Sequence, residues 1–446
     1  MKPDLDSLRS RLAGRGNTIE SRLLHLPDPD GDGPVVPDIP SSSTYRAPDA
    51  DALATRFQSI IDSDPPRDRR VPEGAAKIYL RLGSALEWKL SEALALAQGG
   101  EAAIVFSDGM RAIASAVGFR LHTGAEIVAG VPLYGCTDNL FTSTMPLLGV
   151  KVHFVPPDDI RGIAARLNRR TRVVYLETLC NPSLTMPDFF AVKKLLAAEN
   201  ARRLPGERIT LVIDNTFATP YCCNPFALGE PVEDTIVVHA TTKGINGFSS
   251  GLGGVAVIPW KYWKDLFLYR KNHGGCMTPE HAHLLLTKSL RTLALRVRKM
   301  QENSCSLAAL LAAHPAVAKA LYPGLPSFPQ HRLARKTLVD WYGRFAPGHM
   351  LSFTMAGRTE AVREKRGHAL LDHLAANSSL FLVAVSLGYI GTLIEDPNRG
   401  THATVSPAER AARGIEPGLI RLSVGIEHED DLKRDLLAAL DRAAKR

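Results

Sequence analysis

The sequence predicts an α/β protein: a mostly parallel seven-stranded sheet flanked by helices, followed by a smaller α+β unit. Three observations carry that expectation. Between residues 102 and 259 lie seven short apolar runs, most of them continuous in Val and Ile rather than alternating, as strands buried on both faces require. Between several of them the apolar spacing turns helical, as in "DFFAVKKLLAAEN" at 188–200, and such alternation builds a parallel sheet. The chain of 446 residues has room for more than one sizeable core.

Taken in order, residues 1–75 are rich in Pro, Asp, Ser and Gly ("LPDPDGDGPVVPDIPSSSTYRAPDADA", "SDPPRDRRVPEG"). They read as an N-terminal arm, extended with short helical pieces. Residues 76–315 hold the α/β unit, with strands expected at 102–106, 126–131, 150–155, 172–178, 208–214, 234–240 and 253–259. A helix-rich passage at about 280–315 leads to the α+β unit, 316–446. Its markers are "MLSFTMAG", "SLFLVAVSLG", "LIRLSVGIE" and the helical "DLKRDLLAALDRAA". No internal repeat is visible.

Composition narrows the function classes. Hydrophobic residues make up 45% and charged residues 22%, as in soluble globular proteins. No window resembles a membrane span of ~20 apolar residues. The start, "MKPDLDSLRSRLAGRGNTIE", lacks the apolar region of a signal peptide, so a cytoplasmic location is expected. Cys136, Cys180, Cys222, Cys223, Cys276 and Cys305 have neither CxxC nor zinc spacing and read as reduced, mostly buried thiols, with no metal site. The net charge of +8 is scattered without a basic run, which fits a small anionic ligand better than nucleic acid.

In parallel sheets ligands bind at the carboxyl ends of strands, and here those ends form a coherent set. After 102–106 come Ser107 and Gly109, opening a helix whose free N–H groups suit an anion. Tyr134 follows 126–131 in "PLYGCT", and Glu177 and Asn181 lie in "ETLCNP". Asp214 closes 208–214, and Thr242-Lys243 follow 234–240. Lys243 is the only Lys or Arg between Arg208 and Lys261, and small residues follow it. Singly these are a βα turn, an N-cap and a solvated loop charge. Together they are what pyridoxal 5′-phosphate needs: N–H and hydroxyl donors for the phosphate, an aromatic face for the ring, a carboxylate for the pyridine nitrogen, an amine for the aldehyde. Burial lowers a lysine pKa, and the neutral amine is the nucleophile that forms an imine.

The chain resembles the cysteine/methionine-metabolism (transsulfuration) family of pyridoxal-phosphate enzymes, which includes cystathionine γ-synthases, cystathionine lyases, methionine γ-lyases and O-acylhomoserine sulfhydrylases. The resemblance runs from about Val35 to the C-terminal helix. It is carried by ordered motifs: Tyr79-x-Arg81, "FSDGM", "PLYGCT", "ETLCNP", "VIDNTFATP", "TTKGINGF", "RTLALR", "YPGLPSFPQH", "SLG" and "GLIRLSVGIE". It implies the fold-type I architecture of these enzymes. Lys243 would hold the cofactor covalently and move protons, Asp214 would pair with the pyridinium, and Tyr134 would stack on the ring and transfer protons near the leaving group. Gly109 and Met110 would offer N–H groups to the phosphate, with Ser107 nearby and Thr242 adding a hydroxyl. Asn181 would sit near the ring's 3′ oxygen, and Arg421, with Ser386, would bind the substrate α-carboxylate. Tyr79 and Arg81 would reach the phosphate of a neighbouring subunit, which implies a homo-oligomer, a dimer of dimers.

Several positions depart from the family's pattern. Ala240 stands where a serine is usual, Asp108 where a small or hydroxyl residue is, Gly244 where a tyrosine follows the lysine, and Phe248 where a histidine is found. Ser84-Ala85-Leu86 replaces "NPT", and Gly391 replaces a frequent glutamate. The expected activity is γ-replacement on an O-activated homoserine or related amino acid, with γ- or β-elimination by a C–S lyase as the alternative. Cys136 and Asn246-Gly247 are similar to methionine γ-lyases. Ala240 and Asp108 favour a third reading, a non-catalytic homologue or scaffold; an aminotransferase or desulfurase would need different surroundings for the lysine.

Overall fold

A computed structural model describes residues 18–25, 35–61, 78–400, 410 and 415–446. The segment "SDPPRDRRVPEG" and the first part of the arm lie outside the described residues. The rest of the arm carries the helices Ile19–Leu24 and Ala50–Ile61 and a single bridge, Thr44 to Tyr79.

The large sheet is built from β1 (Ala102–Phe106), β2 (Glu126–Gly130), β3 (Lys151–Val155), β4 (Thr171–Glu177), β5 (Thr210–Asp214), β6 (Thr235–His239) and β7 (Gly254–Ile258). Their spatial order is β1-β7-β6-β5-β4-β2-β3. From β6 to β3 every pairing is parallel, whereas β7 runs antiparallel to both β1 and β6. The reason lies between β6 and β7. Parallel neighbours need a crossover connection, usually a helix, and the run from Ala240 to Gly253 forms none, so the chain returns in the opposite sense. Lys243 lies in that return loop.

Alternate side chains of each central strand enter two separate cores. Ala103, Val105, Val237 and Val257 pack on one face, and Ile104, Phe106, Val238 and Ile258 on the other. That is why these strands read as continuous apolar runs. The seven strands fall where the sequence places them, within two residues at each end.

A second sheet is formed by β8 (Val317–Leu321), β9 (Met350–Met355), β10 (Phe381–Val383), β11 (Thr392–Glu395) and β12 (Leu419–Ser423), in the order β10-β11-β12-β9-β8. The helices Leu293–Ala313, Glu360–Asn377 and Glu429–Ala444 supply its core with Leu307, Leu370 and Leu436. β8 and β11 were not expected from sequence, and "SLFLVAVSLG" is strand only over Phe381–Val383. Beyond it Ser386 adopts φ 89°, outside the extended range of a strand. Cys180, Cys222 and Cys223 are buried as expected, but Cys136 and Cys305 are exposed and Cys276 is intermediate. Among the described residues no helix is long and apolar enough to cross a membrane.

Two buried histidines make the fold acid-sensitive. His239 ends β6 with Nε2 2.6 Å from Gln98 Oε1, and His349 precedes β9 with neither ring nitrogen bonded among the described residues. Burial lowers His239 to about 3 and His349 to about 4, the latter helped by Arg296. Both rings are neutral when folded and take up protons on unfolding. Their contribution is complete above the ordinary histidine pKa of about 6.5 and is lost as pH falls from there toward the folded values. The two rings lower denaturant midpoints between pH 7 and 5, each adding a slope of up to about 1.4 kcal/mol per pH unit. His239→Gln should remove one ring's share, and a pH profile identical in variant and native protein would refute the assignment.

Candidate active site

The carboxyl ends of β1, β2, β4, β5 and β6 open into one cavity of about 370 Å³, closed on the far side by the second sheet. Gly109, Met110, Tyr134, Asn181, Asp214, Thr242, Lys243, Ser386 and Arg421 all line it. Three expected residues do not. Ser107 stands just behind, its hydroxyl bonded to Asp108. Tyr79 and Arg81 lie on an exposed segment outside their own chain's cavity, with the Arg81 guanidinium 5.5 Å from the Tyr79 ring centroid.

Lys243 is held from both sides. Its Nζ donates to Ser386 Oγ at 2.7 Å. Its loop is clamped by Arg296, which donates to Gly244 O and Ile245 O at 3.0 Å each. From the second sheet, Gly388 (φ 73°) presses so closely that a Cβ there would lie 2.4 Å from Gly244 N. Gly244 is equally confined, since a Cβ would meet Thr219 Cγ2 at 2.7 Å with the His349 ring next to it at 3.6 Å. Burial, and secondarily Arg421, lower the Lys243 pKa, which favours the nucleophilic amine.

Two carboxylates stand side by side, because Glu177 ends β4 in register with Asp214 at the end of β5. Asp214 accepts hydrogen bonds from Tyr175 OH (3.2 Å) and Thr216 N (2.9 Å). Glu177 accepts from Tyr134 N (2.7 Å) and Asn181 N (3.4 Å), fixing both residues at the cavity edge. Burial raises both carboxyl pKa values, and Asp214 raises Glu177 further. Neither carboxylate has an ion-pair partner among the described residues. Tyr134 is half-buried, and its phenol is pushed up to about 12 by burial and then by Cys136, whose Sγ lies 3.5 Å from its OH.

Among the described residues Arg421 is the only guanidinium lining the cavity. Nη1 donates to Asn181 Oδ1 (3.0 Å), and Nη2 donates to Ser386 O (2.7 Å) and pairs with Glu395 Oε1 (2.7 Å). Sequence reasoning missed Glu395 altogether. Its partnership depends on the antiparallel register of β11 and β12, which sets Glu395 opposite Arg421. Glu177 was visible as a strand-end acid but had no expected role.

The expected cofactor fits this donor set. The cavity has the volume of a small-ligand site, with an amine reaching into it from Lys243. Among the described residues the Asp214–Glu177 pair has no counter-cation, which a protonated pyridine would supply. The first N–H groups of a helix have no intrahelical acceptor, and those of Gly109 and Met110 are at the cavity wall. No side chain can replace Gly109, where a Cβ would lie 2.5 Å from Ala240 Cβ.

Comparison with known proteins gives a concordant picture. Residues 24–441 match the family described as Cys/Met metabolism PLP-dependent enzyme. The L-methionine gamma-lyase of Porphyromonas gingivalis is 38% identical over 82% of this chain and 85% of its own. A cystathionine gamma-synthase of Mycobacterium tuberculosis is 33% identical over 81% and 86%. The crystal structure of cystathionine gamma-lyase from Lactobacillus plantarum complexed with L-serine superimposes with a TM-score of 0.81 at 27% identity, covering 96% of this chain and 100% of that one.

Proposed function

The chain belongs to the pyridoxal-phosphate-dependent enzymes of Cys/Met metabolism, and we propose that within them it is a C–S lyase performing γ-elimination on a sulfur amino acid with one carboxylate, such as L-methionine. The observation that carries this is the charge inventory of the cavity. Arg421 can hold one α-carboxylate; among the described residues no second guanidinium lines the cavity, and Ile113, Leu179, Phe217, Leu252 and Val385 give it an apolar portion. A substrate with a second amino-acid end would leave charged groups against that wall, which is unfavourable unless they are paired. The relatives named L-methionine gamma-lyase support the same choice. γ-Replacement, which the sequence reading put first, stays as the second reading because relatives named cystathionine gamma-synthase are 33% identical.

In this reading Arg421 and the Ser386 backbone orient the substrate carboxylate, a task suited to the planar guanidinium. The Lys243 amine, facing the cavity, would take the α-proton and return protons along the substrate chain. Tyr134, protonated at neutral pH, donates a proton toward the departing sulfur. Pyridoxal phosphate, when bound, supplies the electron sink for the charge that develops at the substrate carbon. The balanced outcome is L-methionine plus water to methanethiol, 2-oxobutanoate and ammonia. Purified enzyme given L-methionine should release thiol and 2-oxo acid in equal amounts. Cystathionine formed from O-acylhomoserine and cysteine, with no 2-oxo acid from methionine, would establish the second reading instead.

The assembly and domain division belong to the same proposal. The placement of Tyr79 and Arg81 outside their own cavity supports their serving a second copy, in a dimer of dimers. The start of the second sheet at Val317 supports a boundary at 315/316, between the arm-plus-cofactor portion and the C-terminal unit.

Glu395 offers a direct check on the role of Arg421. Its carboxylate opposes the charge that an incoming α-carboxylate needs. Glu395→Gln keeps a hydrogen-bond acceptor and removes that charge, so KM for the amino acid is expected to fall about tenfold, worth ~1.4 kcal/mol, with kcat little changed. A raised KM would mean that Glu395 serves only to position Arg421.

A further inference from the structure

We infer that this chain anchors the cofactor phosphate weakly, with Asp108 and Ala240 as the residues responsible, so that it exchanges pyridoxal phosphate readily and distinguishes it only modestly from unphosphorylated pyridoxal. The inference rests on placing the phosphate at the N-terminus of the helix Gly109–Gly118, as proposed above.

Asp108 caps that helix. Its Oδ1 accepts from Arg111 N and its Oδ2 from Ser107 Oγ, both at 2.7 Å. A formal negative charge therefore sits where the helix end would otherwise favour an anion. The same contacts use up two donors, the third free N–H of the helix and the Ser107 hydroxyl. The Arg111 guanidinium does not compensate. Among the described residues it forms no ion pair with Asp108, and its side chain packs on Gly275, where a Cβ would lie 2.4 Å from Arg111 Cγ.

The opposite wall of the cradle is similarly depleted. Ala240 has no hydroxyl, although it abuts Gly109 directly. Thr242 has one, but it donates to Gly253 O at 3.2 Å and accepts from Gly253 N at 3.0 Å, so its single proton is already placed. The cations that line the cavity are Lys243 and Arg421, against the carboxyls of Asp108, Glu177 and Asp214. Lys243 serves the aldehyde and Arg421 is paired with Glu395. What remains within the same chain for a phosphate carrying nearly two negative charges at neutral pH is chiefly the backbone of Gly109 and Met110, so that the anchoring would fall largely to Tyr79 and Arg81 of a second copy.

The test is a titration of apo protein with pyridoxal phosphate and, separately, with pyridoxal, followed by visible absorbance and by thermal midpoint. Native chain, Asp108→Ser, Ala240→Ser and the double variant are compared, with Lys243→Ala as a control. Serine is as good an N-cap as aspartate, so the helix is retained. Each serine should tighten pyridoxal phosphate roughly tenfold, the scale of one charge-assisted hydrogen bond, and leave pyridoxal unchanged. The preference for the phosphorylated form should then rise about 100-fold in the double variant if the sites add. A preference unmoved in the double variant, or lowered by Asp108→Ser, overturns the inference. If Lys243→Ala alters the spectrum of bound cofactor, that failure leaves the cofactor placement standing. If Lys243→Ala leaves the spectrum as in the native protein, the placement and the inference fall together.

Discussion

Lys243→Ala is expected to abolish turnover, with kcat/KM falling by at least roughly 10³-fold. Among the described residues Lys243 contributes the only amine to the cavity wall, so in the proposed reading no described neighbour could take over its role. The fold should be unaffected, because the only side-chain hydrogen bond of Lys243 among the described residues goes to Ser386, and the loop is held through its backbone by Arg296. The measurement is steady-state release of 2-oxo acid with circular dichroism as the structural control. A small primary amine added to the variant should restore part of the rate. Activity within tenfold of native, in a folded variant, would remove Lys243 from the chemistry.

Asp214→Asn is expected to lower kcat by about 10²–10³, the scale seen when one preorganised electrostatic partner is lost. The asparagine keeps the shape but, if Asp214 faces the pyridine nitrogen as the resemblance implies, could not hold a proton there. A second readout comes from the apo protein. Burial and the Asp214 charge hold Glu177 above the ordinary carboxylate range, so the folded state retains a proton there that the unfolded chain releases. The contribution of this group to apo stability is therefore lost as pH rises from the ordinary carboxylate range toward the raised Glu177 value, opposing the histidine contribution where the two windows overlap. Asp214→Asn removes both the like charge and a second raised carboxyl, so this loss should shrink in the variant. An unchanged pH profile would mean that neither Asp214 nor its charge on Glu177 contributes.

The large sheet and the lysine–carboxylate–tyrosine set were legible because each depends on local pattern. A continuous Val/Ile run announces a strand buried on both faces, and a polar residue at its end announces what faces the ligand. The missed features depend on distant pairing. "VAKAL" forms β8 at a sheet edge with only Leu321 buried, so no apolar rhythm betrays it. "TLIE" is only four residues long. Glu395 meets Arg421 through a strand register that no spacing rule encodes. Asp108, visible in the sequence only as a departure from the family's pattern, bonds the Arg111 backbone, as an N-cap does.

The loop that carries Ser386 and Gly388 and the loop that carries Lys243 are built as one piece. Gly388 lies against Gly244, and Ile390 N donates to Gly247 O at 2.9 Å. Thr219 and His349 fill the ground where a larger residue after the lysine would stand. Grafting a relative's substrate loop onto residues 384–391 would therefore import a wall without its matching footing. Positions 244, 219 and 349 must be exchanged with it, as a single cassette, for the amine to keep its address.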